Sequence, residues 1–473
     1  MPVSNNIKAI KSGVWYIFAN FLTKGVGFLT TPFFTRLMTQ EDYGLYSNYV
    51  SWLGTFTIVG LLNAGATFIS ARFDFKDDFD GYISSSLALS SLVTLCWAAV
   101  INLFPQSISD WTGVDVRFLN IMVLYLFFFS AIDMFQLRER YYYEYKISAG
   151  TSILIAISTA LVSVILVLCW EDKLFGRVLG AAAPVIFIGA MLYVLLMLRG
   201  RKIKLAYWKY ALPICLPFIP HMLSLVLLGA LGTILLTRYC GPEQAALYAV
   251  SCTCGSAISV LMVSLNTAFS PWLGEKLYEK DYGAIKSFSR TYILLFMALA
   301  CGLLLVTPEL LLIMGGQRYY EALYVMPPIA FGCVCQFLYT MFVNVEQNQR
   351  KTVGMALASM MTAAVNYGLN MLFIPKFGYM GAAYVSAASY VVLFLLHVLL
   401  VKRMGFLHLY PMRLIAWALA SMALYVVLVN AIYQSNIIRY ALVVSYGMAF
   451  LLVAHRKKDD ILKLVGRRRQ GHS

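Results

Sequence analysis

The sequence predicts an all-α integral membrane protein of 14 transmembrane helices, built as two parallel six-helix lobes around a central cavity plus two C-terminal helices. Three observations lead there. Apolar stretches of about twenty residues, the length that crosses a bilayer, run almost without pause from Trp15 to Ala454. The basic residues between them fall overwhelmingly on one side. Two segments of the first half recur in the second at one shift.

In chain order the spans fall near 14–35, 44–70, 82–104, 117–137, 147–170, 176–198, 211–237, 244–270, 291–314, 322–345, 353–375, 378–401, 412–432 and 437–454. The first follows Lys8 and Lys11, and no small-residue cleavage site comes after it, so it reads as a retained helix rather than a signal peptide. The longest connections, around 71–82, 199–210 and 271–290, interrupt the apolar pattern after spans two, six and eight. Span seven opens on Pro213, Pro217 and Pro220, which remove helix hydrogen bonds and predict a bent or broken helix. The basic stretch RKKDDILKLVGRRR ends the chain as a tail after span fourteen.

Hydrophobic residues make up 60% of the chain and the mean hydropathy is +0.74, which excludes a soluble domain of this length. Of 37 Lys and Arg, 28 lie on the side of the amino terminus, 8 on the other, and Lys24 falls inside a span. That asymmetry predicts cytoplasmic termini and accounts for the +15 charge without a nucleic-acid partner. The nine cysteines lie mostly inside spans. Cys252/Cys254 and Cys333/Cys335 are two apart, too few for one helix face, so neither a metal nor a disulfide framework is implied. No P-loop, HExxH or GxSxG occurs, and the chain reads as neither an enzyme nor a cofactor protein.

Shifted by 202 residues, the halves meet. TPFFTRLMTQEDYGLY at 31–46 lies over TILLTRYCGPEQAALY at 233–248 without a gap, with Thr31/Thr233, Thr35/Thr237, Arg36/Arg238 and Tyr46/Tyr248 identical. At nearly the same shift LFGRVLGAAA (174–183) resembles KFGYMGAAYV (376–385). An even number of spans separates the copies, so they share an orientation. Parallel repeats in transporters flank a cavity on an axis along the membrane normal. The expected division is an N-lobe at 1–200, a C-lobe at 201–402, and 403–473 as helices 13 and 14 with the tail.

Polar residues inside spans mark the candidate site. Lys24 lies about ten residues into span one, roughly 15 Å deep, where a basic residue costs about 2.5–3.5 kcal/mol unless it faces protein or water. Asn20, Lys24, Gly27, Thr31 and Thr35 share helical spacing with it. Arg36 and Arg238 end the first helix of each lobe, with Glu41 and Glu243 as expected partners. Gln336, Thr340 and Asn344 form a stripe in span ten, and Thr362, Asn366 and Asn370 another in span eleven. Asn266 ends a small-residue face in span eight. Helix-to-helix bonding is the bland alternative for each. Asp133, read as the one carboxylate within a span, and His221 are candidate ion-coupling groups.

These residues carry a resemblance. FLTTPFFTRLMTQEDYGLYS, GGQRYYEALYVMPPIA (315–330) and NYGLNMLFIPKFGYMGAAYVSAASY (366–390) are similar to segments of the polysaccharide transporter family, across essentially the whole chain. The family shares a superfamily with the multidrug extruders and the lipid II flippase. The resemblance implies a Wzx-type flippase of the bacterial inner membrane, moving an undecaprenyl-pyrophosphate-linked oligosaccharide to the outer leaflet for O-antigen, capsule or related glycans. It implies substrate contact by basic and polar residues. Lys24, Asn20, Arg36, Arg238, Asn266, Arg318, Asn344, Asn366 and Asn370 are the positions expected here. Membrane lipids and a polysaccharide polymerase machinery are the implied partners. A multidrug antiporter and a lipid II flippase remain the alternatives.

Overall fold

The computed structural model of the protein describes residues 3–142, 144–349 and 351–456, so most of the basic tail lies outside the described residues. The described chain contains no strand. Its first half holds α1 (Val3–Leu37), α2 (Gln40–Gly60), α3 (Phe68–Asp74), α4 (Phe79–Leu103), α5 (Pro105–Thr112), α6 (Val116–Tyr141), α7 (Tyr145–Cys169) and α8 (Lys173–Gly200). The second half holds α9 (Leu205–Cys240), α10 (Pro242–Tyr278), α11 (Tyr282–Leu305), α12 (Thr307–Gly315), α13 (Met326–Asn348) and α14 (Thr352–Arg403). The last two are α15 (Met412–Ile432) and α16 (Asn436–Arg456).

Among the described residues ten helices are long and apolar enough to cross a membrane, or eleven when α2 and the bent segment after it are taken together. Fourteen were expected; the four not counted separately are α1, α2, the second limb of α14 and α16. Helix α14 is 52 residues long but turns back on itself at Gly378, whose φ of 54° and ψ of −139° suit a residue without Cβ. Asn366 bonds Ser389 and Gly354 packs on Leu400, so its two limbs are antiparallel. Helix α1 is diluted by Asn20, Lys24 and its threonines. The apolar run at 44–70 is not one helix either. Leu62 and Asn63 take left-handed backbone, and the chain bends by 43° before α3.

The 202-residue shift recurs in the element order. Helices α9, α10 and α12 begin 202 residues after α1, α2 and α5, at 205 against 3, 242 against 40 and 307 against 105. The small helices α5 and α12 both follow a long one and both start with a proline near their first turn.

Packing within the first half joins α6, α7 and α8, with α1 against α7. Small residues make this possible. A Cβ on Gly180 would stand 2.4 Å from Ser163 Cα, and one on Gly189 would stand 2.6 Å from the Phe128 carbonyl oxygen. Helices α15 and α16 lie on α11. The Tyr433 hydroxyl donates to the Leu304 carbonyl (2.7 Å), and Arg439, 2% exposed, pairs with Glu309.

Helix α9 does not break. It stays helical through Pro213, Pro217 and Pro220, all exposed. Its first turns belong to the first half: Tyr207 bonds Asp78, Trp208 Nε1 donates to the Ser85 carbonyl (2.8 Å), and Cys215 packs with Ala64 and Phe68. Its later turns pack on α14, α2 and α10.

Candidate functional site

Lys24, Thr31 and Thr35 follow one another along one face of α1, because seven and eleven residues complete nearly whole turns. The face changes character along its length. Lys24 and Gly27 are exposed, while Thr31 and Thr35 are buried. Lys24 makes no ion pair with any described residue. The side chain of Asn20 lies outside what the structure describes.

The buried stretch ends in a junction between the halves. Thr35 Oγ1 donates to the Met314 carbonyl at 2.6 Å. Arg36 donates to the carbonyls of Ile313 (2.9 Å) and Leu312 (3.2 Å), and Gln40 Nε2 donates to the Arg318 carbonyl at 2.8 Å. Tyr43 meets Tyr319 edge-on at 6.0 Å. The expected Arg36–Glu41 pair does not form. The C-terminus of α12 carries the negative end of its dipole, and the guanidinium caps it there, sharing the Leu312 carbonyl with the Gly316 N–H. Beside this cap Gly44 lies directly on the next helix, where a Cβ would fall 1.8 Å from the Pro242 carbonyl oxygen.

The repeat partner of Arg36 has another surrounding. Arg238 is exposed and lines a cleft of about 520 Å³ with Asp110, Trp111 and Thr237. Arg318 is exposed too and enters the junction through its backbone.

The asparagines form two networks in the second half. Asn344 Nδ2 donates to Asn266 Oδ1 (2.7 Å), and Asn348 donates to the Asn344 carbonyl, tying α13 to α10. Asn370 donates to Asn366 (2.9 Å), which donates to Ser389 (2.9 Å), tying the limbs of α14 together. Asn344, Asn366 and Asn370 are buried. Apart from Asn20, the expected substrate contacts are thus divided among an exposed lysine, the junction, a cleft and two internal networks.

Asp133 stands at the turn before α3, 3.5 Å from where a Gly65 Cβ would be, and Arg140 acts on it electrostatically. No contact among the described residues joins it to His221. Buried carboxylates were missed: Glu139 is 4% exposed near the end of α6, and helix α13 continues past the apolar run to Asn348 and takes Glu346 inside. Glu346 is 1% exposed and paired with His397, 0% exposed. A histidine inside an apolar span was the available signal. Also unforeseen is a cleft of about 550 Å³ lined by Arg72, Lys76, Phe79 and Tyr141.

At the start of α9 a polar clasp fixes the chain crossing between the halves. Asp78 accepts from Lys202 Nζ (2.7 Å), Lys204 Nζ (3.1 Å) and the Tyr207 hydroxyl, and these hydrogen bonds, Lys202 foremost, hold its carboxyl well below the usual range.

Comparison with known proteins fits this arrangement. A Lsg-locus protein of Haemophilus influenzae is 24% identical over 344 residues, covering 68% of this chain and 81% of its own. An uncharacterised membrane protein of Methanocaldococcus jannaschii is 22% identical and covers 83% of each. Among solved structures, the lipid II flippase MurJ in an inward closed conformation superposes with a TM-score of 0.74 at 13% identity, over 94% of this chain and 99% of that one. An inward-facing multidrug transporter of the MATE family and MOP superfamily gives 0.61 at 14% identity, over 82% and 95%. The fold is that of these transporters. Residues 9–276, more than half of the chain, match the polysaccharide biosynthesis protein family, and to that family this multi-pass membrane protein belongs.

Proposed function

We propose that the protein is a flippase that carries an undecaprenyl-pyrophosphate-linked oligosaccharide repeat unit from the cytoplasmic to the outer leaflet, for O-antigen, capsule or a related glycan. The face of α1 carries this reading. It is buried at Thr31, packed against the second half at Thr35 and open at Lys24 and Gly27, as expected for a cleft closed at one end. The lobes are 1–200 and 201–402. Fourteen crossings put both termini in the cytoplasm of a bacterial inner membrane.

The physical need is large. Moving a hydroxyl from water into hydrocarbon costs about 4–8 kcal/mol, so a repeat unit with on the order of ten hydroxyls faces tens of kcal/mol unaided. A hydrated cleft supplies replacement hydrogen bonds while the prenyl chain stays in lipid. Lys24 meets the pyrophosphate in the inward-open state. Rocking of the lobes breaks the junction at Thr35, Arg36 and Gly44 and releases the sugar outside, to a polymerase machinery.

The likeness to MurJ in fold favours one rival, lipid II as cargo. Purified protein in liposomes separates the two. Undecaprenyl-pyrophosphate oligosaccharide on one leaflet is expected to reach the other faster than in protein-free liposomes, and lipid II is expected to move no faster. Acceleration of lipid II alone would reassign the cargo, and acceleration of neither would end the flippase reading.

A further inference from the structure

The Glu346–His397 pair has no part in the junction, the α1 face or the asparagine networks. His397 Nδ1 lies 2.9 Å from one carboxylate oxygen of Glu346 and 3.0 Å from the other. The opposite ring nitrogen, Nε2, is buried with no hydrogen-bond partner. On α9, which packs against α14, His221 Nδ1 is likewise buried and unpartnered, and His221 feels the charge of His397.

Neither protonation state satisfies this site. With a neutral imidazole, the carboxylate leaves a net negative charge where solvation is poor, at a cost of several kcal/mol. With an imidazolium the pair is neutral, but its second N–H has no acceptor, which also costs stability. Groups balanced in this way change state when a neighbouring helix moves. The other titratable groups about the site are tyrosines, with the thiols of Cys333 and Cys252 next to Tyr390. The Tyr339 ring lies 5.2 Å from His397, tilted by 48°, and is in the field of Glu346, Tyr390 is in turn in the field of Tyr339, and the Tyr410 hydroxyl donates to the Met341 carbonyl. No lysine, arginine or second carboxylate pairs with them among the described residues, nor do three His, Cys, Asp or Glu come together to hold a metal.

We infer that Glu346 and His397 form a buried proton-binding site, with His221 of α9 as the group through which it exchanges protons, and that its occupancy drives the transport cycle. On uptake the proton moves to His397 and leaves the Glu346 carboxylate facing an imidazolium. On release it passes from Nε2 to His221 when α9 shifts against α14. The coupling rests on the transporter reading above, whereas the proton site does not.

Two measurements test this. In the full-length protein, nitrogen-15 NMR of labelled histidine rings, with His397 assigned from His397→Gln, is expected to show His397 changing protonation as the pH is varied. In Glu346→Gln that change moves to lower pH by at least about one unit. In liposomes, a proton gradient is expected to speed the movement of undecaprenyl-pyrophosphate oligosaccharide. The ratio of rates with and without the gradient falls to about one in Glu346→Gln and His397→Gln, and His221→Gln lowers it. Glu346→Asp, which keeps the charge, retains part of the response and shows that loss in the glutamine variant is not misfolding. A His397 that does not titrate, or is indifferent to Glu346→Gln, overturns the site. Wild-type movement indifferent to the gradient overturns the coupling and leaves the flippase reading standing. A titrating His397 with no movement under any condition overturns the flippase reading and leaves the proton site standing.

Discussion

Lys24 and Gly44 show how single positions divide the labour. Lys24 is exposed on a face that is buried two turns further on, and its charge was legible because lipid excludes such a residue. Hydrogen bonds to charged groups are worth about 1.5–3 kcal/mol. Lys24→Ala is therefore expected to weaken binding of the pyrophosphate lipid roughly ten- to a hundredfold, with Lys24→Arg much closer to wild type and Lys24→Glu worse than Ala. Lipid binding to protein in detergent checks this, with the yield of each folded variant measured alongside. Gly44 was not legible at all, because a glycine in a helix signals close approach only when its neighbour is known. Overpacking typically costs about 1–3 kcal/mol, so Gly44→Ala should shift the molecule away from the joined state about tenfold or more. An impermeant thiol reagent on Gln40→Cys, in a background without exposed Cys96 and Cys169, is expected to react faster when Gly44→Ala is present. Unchanged labelling would mean that the Gly44–Pro242 contact is not part of the gate.

Among elements, the chain between α8 and α9 carries the clearest pH dependence. Because Asp78 is held below its ordinary 3.8, its ionised form contributes stability that is fully present above that value and lost as pH falls through the lower folded value. Asp78→Asn is expected to lower the Tm by on the order of 1–2 °C near neutrality, a difference that shrinks below about pH 4. Intrinsic tryptophan fluorescence during heating reads both. A difference that persists unchanged in acid would assign the effect to packing. Most long helices were legible here because apolar runs are long and bounded by charge. Some of their joints were harder to see. The joint at Gly378 was read from the sequence, as the break between 375 and 378 around Lys376, whereas Leu62 and Asn63 bend an apolar run from inside. Glu346 escaped because one residue past Val345 the polarity suggests a loop, whereas His397 gives the carboxylate a partner inside the helix bundle. The asparagines were found by spacing. That they tie helices together depended on which helices are neighbours, and sequence spacing does not carry that.

For the molecule as a whole, the 202-residue shift was legible from eight identities over positions 27–46, and the same shift recurs in helix starts. Duplication kept the helices and changed their ends, since Arg36 caps α12 and Arg238 faces a cleft. The basic asymmetry gives a test of orientation. Cysteines placed in 238–243 and 315–321 are expected to react with an impermeant reagent in intact cells, and those in 199–209 and 271–290 only after permeabilisation. Reaction of 199–209 from outside would invert the molecule and place the junction at Gly44 on the cytoplasmic face.

The three prolines of α9 stand four and three residues apart, so they fall on one side of the helix, and that side is exposed. Each lacks the N–H that would tie it to the turn below. One flank of the rod is therefore unstrapped for two turns while the opposite flank keeps its bonds. Such a rod is compliant in one plane and stiff in the other, like a spine scored along one edge. Its foot is clasped to Asp78 and its upper turns are packed on α14, so if the lobes rock as proposed, the spacing of three residues sets the plane in which this rod bends.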